Sequence, residues 1–420
     1  MRVLHVNYID TVGQRFNGFK LSQQLKGQIV SEMTVWTKLS KESFVKQIPP
    51  ENKIAWKLWN KTMILFSRFG LDRLIGFGGW VLRKQNYFKS ADIIHLHLIH
   101  NFSNFSILSL PYITKLKPVV WTLHDPWAFT GGCEHSFDCN KWQTGCCAPC
   151  PYPRATSLFS KSSPSIHWKL KKYIYSRSSI TLVVSSNWML NRVKRSPLMK
   201  DFDCVKIPFG IDLKEFKLLS KSLAKSKLGI PIDHKVIAFR ASSLKKDKFK
   251  GVRYIHEALA LLNSNAPLSI IIFEDGSDFD LYKNEYNIIN LGWVDQKELV
   301  LALNATDVFI MPSIQESFGL MAIEAMACGS PVVTFDGTAI EEIVRDQVTG
   351  IVVPTKNSIA LANAVTYLIN NEIVRVKMGL SARKVVEDEF TEDKYINRHL
   401  ELYNIVRNKF KNNIKDFKKS

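Results

Sequence analysis

The sequence predicts an α/β chain built of two doubly wound, Rossmann-like domains that face each other across a cleft. Three observations predict it. Short apolar runs bounded by turn residues alternate with helix-period stretches along the whole chain, the pattern of parallel strands covered on both faces. The charge changes character near residue 205: residues 1–200 hold 28 basic and 9 acidic side chains, residues 201–420 hold 29 of each. At that point Ile207-Pro208-Phe209-Gly210 supplies the Pro and Gly of a linker. A chain of 420 residues, 46% hydrophobic and 23% charged, can bury a separate core in each half and is not a disordered or collagen-like polymer.

The strands expected in the first half are Val3–Tyr8, Met33–Trp36, Ile93–Leu98, Val119–Leu123 and Leu182–Ser185. In the second half they are Val236–Phe239, Leu268–Phe273, Ile288–Leu291, Val308–Met311 and Val332–Phe335. Continuous apolar runs of this length, with helices between them, are parallel rather than hairpin-connected. Ligands of such sheets sit beyond the carboxyl ends of the strands.

The whole excess of +19 belongs to the first half, and 151–200 carries ten basic residues and no acidic one. An anionic partner such as a phospholipid surface or a phosphorylated acceptor is expected there, the alternative being a solvated basic face. No nucleic-acid-binding module accompanies the charge, so nucleic acid is not an expected partner. Asn52–Lys84 mixes apolar residues with Lys and Arg and carries Trp56, Trp59 and Trp80; it reads either as an interfacial amphipathic element or as helices with basic outer faces. Met1–Asp10 is a buried first strand rather than an export signal, and the long uncharged stretch Ile93–Thr114 is too rich in His, Asn, Ser and Thr to span a bilayer. A cytoplasmic protein is expected. Five of the seven cysteines lie in Cys133–Cys150, and a reducing compartment there leaves metal binding or buried thiols ahead of disulfides.

The chemistry is concentrated in Val308–Asp336, which reads as strand, loop, helix, small-residue break and strand. A helix is expected from Ser317 to Ala327, with Gly329 at its C-terminal end. Its first turn, with Phe318, Gly319 and Leu320, offers free amides and the helix dipole to a phosphate. Glu316 precedes the helix and Glu324 lies within it among small and apolar neighbours. Eight residues of helical rise span about 12 Å, too far for a glycoside-hydrolase carboxylate pair and suited to a long ligand lying along the helix.

Pro312-Ser313, Glu316, Ser317-Phe318-Gly319, Glu324-Ala325-Met326-Ala327 and Gly329-Ser330-Pro331-Val332-Val333 together resemble the retaining glycosyltransferases of family 4, which have the GT-B fold. The resemblance implies that Glu316 contacts the donor sugar and Glu324 the nucleotide ribose, with base contacts from Gly292-Trp293-Val294-Asp295. It also matches Arg240 and Lys250-Gly251 to the phosphate-binding turn, where a planar fork and a point charge would stabilise the departing diphosphate without a required metal cofactor. In the first half it places His124, of Trp121-Thr122-Leu123-His124-Asp125, against the donor sugar; Asp125 and Trp127 are candidates for acceptor or donor contacts, and His97, at the end of Ile94-His95-Leu96-His97, is a further acceptor-side candidate. The family's Gly-Gly-rich first loop is replaced here by Asp10–Gly18, so Gly13, Arg15 and Asn17 are weaker acceptor-side candidates.

The segment 130–151 is similar to the Cys-rich insert of bacterial exopolysaccharide and colanic-acid-type transferases. Cys133, Cys139, Cys147 (or Cys146) and Cys150 are candidate ligands of a structural zinc, with reduced buried thiols or disulfides as alternatives. The resemblance implies an acceptor-side domain over 1–205, a donor-binding domain over 206–385, and a C-terminal helix over 386–420 packing back toward the first domain. It implies a hexosyl transfer, with retention, from a nucleotide-diphosphate sugar to a saccharide or lipid-linked acceptor in cell-surface polysaccharide synthesis, at the inner face of the membrane. A sugar-nucleotide 2-epimerase of the same fold and a non-catalytic nucleotide-sugar binder are the competing readings.

Overall fold

The structure is a computed structural model and describes residues 1–48, 53–68, 76, 78–100, 105–146, 149–152, 163–241, 244 and 249–417. The chain divides into two compact units, Met1–Ile207 with Ile396–Ser420, and Pro208–Tyr395.

The first unit is built on a seven-stranded parallel sheet: β1 (Arg2–Ile9), β2 (Val30–Thr37), β3 (Val45–Gln47), β4 (Ile93–Leu96), β5 (Val119–Thr122), β6 (Ile180–Val184) and β7 (Cys204–Lys206). The strand order is β3-β2-β1-β4-β5-β6-β7, so the winding reverses between β1 and β4. β4 and β5 are buried along their whole length, which is why they read as uninterrupted apolar runs. Trp36, Trp121, Trp127 and Phe129 fill the space between sheet and helices. The last helix, Glu392–Phe417, brings Tyr403 and His399, both fully buried, onto this unit.

The second unit has a six-stranded parallel sheet: β8 (Lys235–Ala241), β9 (Leu268–Glu274), β10 (Asn287–Gly292), β11 (Val308–Met311), β12 (Val332–Phe335) and β13 (Gly350–Val353). Its order is β10-β9-β8-β11-β12-β13, with the reversal between β8 and β11. Helices start on side-chain caps: Asp295 accepts the Glu298 N–H at 2.9 Å, and Asn357 accepts the Ala360 N–H at 2.9 Å.

All ten expected strands are present. Three more were not expected. β3 and β7 are three-residue edge strands with mostly polar or exposed side chains, so they carry no apolar run. β13 opens on Gly350, which resembles a turn residue; it is needed because a Cβ there would lie 2.0 Å from the Val332 carbonyl oxygen on the neighbouring strand. The helix expected from Ser317 begins instead at Leu320 and ends at Ala327. Gly319 caps it with φ 109°, outside the helical region, which leaves Ser317 and Phe318 in the preceding loop. Among the described residues no helix is long and apolar enough to cross a membrane.

Candidate functional site

Each sheet gathers its candidate residues at its own winding reversal, where the loops after two neighbouring strands diverge and leave a crevice.

In the second unit the loops after β8 and β11 are tied together. The Ile314 N–H donates to the Phe249 carbonyl at 2.7 Å, and Lys250 Nζ donates to Glu316 Oε2 at 2.8 Å. Gly251 lets the two backbones approach: a Cβ there would lie 2.0 Å from the Pro312 carbonyl oxygen. Glu316 is fixed from behind as well, its carbonyl accepting the Ala339 N–H at 3.2 Å. Lys250 and Glu316 are each about one-fifth exposed, so the pair is sheltered yet reachable.

Of the other donor-side candidates, Glu324 is fully buried in the helix Leu320–Ala327. Phe318 turns into the core against Phe209 and Phe390, leaving only its backbone for a ligand. Ser317 and Leu320 stay partly exposed at the helix start. Arg240 is held by Glu274 through both Nε and a terminal nitrogen, the latter at 2.7 Å from Oε1. The sequence reading missed Glu274. It is one of few non-glycine residues with positive φ, at 73°, and its carboxylate already answers the charge of Arg240. Trp293 is 80% exposed, with the Arg240 guanidinium 5.5 Å from its ring, whereas Asp295 is committed to capping the next helix. Lys245, Lys246 and Lys248 lie outside the described residues.

In the first unit, β1, β4 and β5 carry a histidine cluster to the reversal. His5 on β1 is in register with His95 on β4. His97 and His124 lie just past the ends of β4 and β5. His5 Nδ1 is 3.0 Å from His97 Nε2, and His97 Nδ1 is 3.3 Å from His124 Nε2. His95 is satisfied separately, by Tyr403 Oη and Thr122 Oγ1, both at 2.7 Å. Burial drives these imidazoles to the neutral form: His5 is lowered to about 3, and His95 and His97 fall well below the usual histidine range, each helped by the other histidines. Burial also lowers His124, to about 4, against the opposing pull of Asp125.

Asp125 does structural work. Its Oδ1 accepts the Trp127 N–H at 2.8 Å, and its Oδ2 lies 3.1 Å from His100 Nε2. Burial pushes its carboxyl up, but His100 and that N–H more than compensate and hold it below the usual carboxylate range. Trp127 is buried and stacks on His100.

The first loop is also self-bound. The fully buried Asn17 gives its amide to the carbonyls of Ile9, Asp10 and Val12, so it shapes the loop rather than facing an acceptor. Gly13 sits over Phe16, whose ring meets His124 at 5.4 Å, and Arg15 is half-buried. Trp80, partly buried, packs on the half-exposed Tyr112 at 4.8 Å; the side chain of Trp56 lies outside the described residues.

Among the cysteines, Cys146 Sγ accepts the Gly131 N–H at 3.2 Å, and the neighbouring Cys150 thiol together with burial pushes the Cys133 thiol up. Cys147 lies outside the described residues. Among those described, the one set of three His, Cys, Asp or Glu ligand atoms within 4.8 Å of one another is His5, His95 and His97, and no trio of thiols joins it.

The two parallel α/β Rossmann-like units, each with its candidate residues at the winding reversal, define the GT-B fold. A sucrose-phosphate synthase from Thermosynechococcus elongatus has the same fold, with a TM-score of 0.68 over 97% of this chain and 99% of that one at 17% identity. So does HepE of Anabaena, solved with UDP-glucose, with a TM-score of 0.60 over 99% and 100% at 15% identity. Residues 220–385, which hold Arg240, Lys250, Glu316 and Glu324, match the family described as Glycosyl transferases group 1. An uncharacterized glycosyltransferase of Methanocaldococcus jannaschii is 26% identical over 60% of this chain and 66% of its own length. A phosphatidyl-myo-inositol mannosyltransferase of Mycobacterium leprae is 31% identical over 44% and 49%. The chain thus spans about half to two-thirds of the length of these curated relatives.

Proposed function

We propose that the protein moves a hexosyl group from a nucleoside-diphosphate sugar to a saccharide acceptor, with retention at the anomeric carbon. The observation that carries this reading is the Lys250–Glu316 pair beside the start of the helix Leu320–Ala327. A diphosphate competes for Lys250, because the cation gains more from two phosphate oxygens than from one carboxylate. Glu316, repelled by the phosphates, is left to accept hydrogen bonds from sugar hydroxyls. Lys250 and the amides at the helix start then face the charge that grows on the departing diphosphate, which is the charge an enzyme has to stabilise.

The acceptor we propose is lipid-linked, in cell-surface polysaccharide synthesis. The basic first half suits an anionic leaflet, and the helix Lys53–Arg68 exposes Ile54, Leu58, Ile64 and Leu65 next to Lys57 and Lys61. Product analysis tests the reaction: the full chain, given a nucleotide sugar and lipid-linked acceptors, should form a glycosidic bond of the donor's own anomeric configuration. An inverted product, or a C2-epimerised nucleotide sugar without transfer, would replace this reading.

A further inference from the structure

The histidine cluster contains more order than a site residue with neighbours. His5, His97 and His124 form a row in which each inner contact is nitrogen to nitrogen, at 3.0 and 3.3 Å, with the rings of neighbouring members stacked at 5.3 and 5.6 Å. A neutral imidazole carries one proton and presents one donor and one acceptor. Two N···N hydrogen bonds between three such rings are satisfied only if all three protons point the same way along the row.

There are two such senses. In one, His124 Nε2–H donates to His97 Nδ1, His97 Nε2–H donates to His5 Nδ1, and His5 is left with an N–H at Nε2. That nitrogen is buried and has no hydrogen-bond partner among the described residues. In the other, His5 Nδ1–H donates to His97 Nε2 and His97 Nδ1–H donates to His124 Nε2, so the proton of His124 is on Nδ1. The first sense buries an orphan N–H, the rarer kind of unsatisfied group, at a cost of about 1–3 kcal/mol. The second leaves an unprotonated nitrogen there instead.

We propose that His97 and His5 are positioning residues that hold His124 as its Nδ1–H tautomer. The row ends in the interior at His5, so it orders protons rather than conducting them. In that tautomer His124, whose Nε2 faces His97, carries a donor rather than a base on its other nitrogen. It is thereby suited to donate to a sugar oxygen, the role that rests on the function proposed above. Gly18 belongs to the same device: a Cβ there would lie 2.4 Å from His97 Nε2, so the first loop closes directly over the middle ring. The same nitrogens would also admit a metal at His5, His95 and His97, but that ion would have to break the His5–His97 bond and one of the two 2.7 Å bonds of His95.

The test is nitrogen-15 NMR of the imidazoles in the full chain, which reports tautomers with or without turnover. The expected spectrum has His124 and His97 as neutral Nδ1–H rings. His5→Leu, which removes the end of the row, should let His124 populate both tautomers and lower kcat at least tenfold with donor KM within threefold. His5→Asn, whose amide can take the place of Nδ1, should restore both readouts. An Nε2–H tautomer at His124 in the parent, the signature of metal-bound imidazoles, or an unchanged tautomer in a His5→Leu protein with native circular dichroism would each overturn the proposal. If no nucleotide sugar is turned over while the tautomer results hold, the functional reading fails and the row stands.

Discussion

Lys250 Nζ lies 2.8 Å from Glu316 Oε2, joining the loop after β8 to the loop after β11 at the winding reversal of the second sheet. A partly exposed pair of this kind contributes at most about 1 kcal/mol to folding. Its residues are therefore separable from stability. Lys250→Ala and Glu316→Ala should each lower kcat/KM by about a hundredfold or more, the loss typical of removing one group aimed at transition-state charge. Thermal midpoints should stay within a few degrees of the parent. Steady-state kinetics alongside thermal unfolding checks both halves of the statement.

Arg240 is neutralised by Glu274 through a two-nitrogen contact. A diphosphate that uses Arg240 has to displace that carboxylate. Glu274→Gln keeps the shape and removes the competing charge, so the donor KM should fall several-fold. A KM that rises instead would assign Glu274 to the ligand.

Gly251 lets the backbone come close to the Pro312 carbonyl, where a Cβ would lie at 2.0 Å. Gly251→Ala should destabilise the second unit by about 2 kcal/mol or more, through overpacking as well as backbone strain. Gly229→Ala is the control, since it shares positive φ but has nothing within 4 Å. Its cost should be about 1 kcal/mol, from the backbone alone. Denaturant titrations of the two variants give the comparison.

Three buried imidazoles make the first unit sensitive to mild acid. His5 is lowered to about 3, and His95 and His97 well below their ordinary value, by burial and by one another. In the unfolded chain these groups protonate near 6.5, so between that pH and their folded values the unfolded state binds more protons. Stability is then full above about pH 6.5 and declines as pH falls, by up to about 1.4 kcal/mol per pH unit for each group. Urea midpoints at pH 7.5, 6 and 5 should decrease in that order, above the range where ordinary carboxylates titrate.

Leu58 and Leu65 are 67% and 52% exposed on a helix that also shows Lys57 and Lys61 to solvent. If the acceptor is lipid-linked, this face meets an anionic leaflet. Co-sedimentation with phosphatidylglycerol vesicles should occur at low salt, weaken at 0.5 M salt, and be reduced in Leu58→Ser/Leu65→Ser. Equal recovery with neutral phosphatidylcholine vesicles would remove the electrostatic part of this account.

Continuous apolar strands such as Val119–Thr122 and Val308–Met311 were legible because burial on both faces leaves no polar alternation to obscure them. Edge strands such as Cys204–Lys206 were not, because half-exposed residues carry no such mark. Glu316 and Lys250 could be named from spacing and resemblance, but their contact joins residues 66 apart and appears only in the folded chain. The histidine row was partly visible: His97 and His124, each just past a strand end, could be named from the resemblance. Their partner His5, 92 residues away from the His97 ring it bonds, gave no local signal. The expected helix start at Ser317 erred because Gly319 was read as a residue inside the first turn, whereas its positive φ makes it the cap.

The central claim is sugar transfer from a nucleotide donor held at Lys250 and Glu316. The most direct measurement is nucleotide release from a panel of UDP-, GDP- and ADP-sugars by the full chain, beside Lys250→Ala and Glu316→Ala. The account predicts release from one donor class above the enzyme-free blank, with both variants reduced by about a hundredfold while still folded. No release from any donor in the presence of saccharide and lipid-linked acceptors, or release within threefold of the parent in both variants, would contradict it.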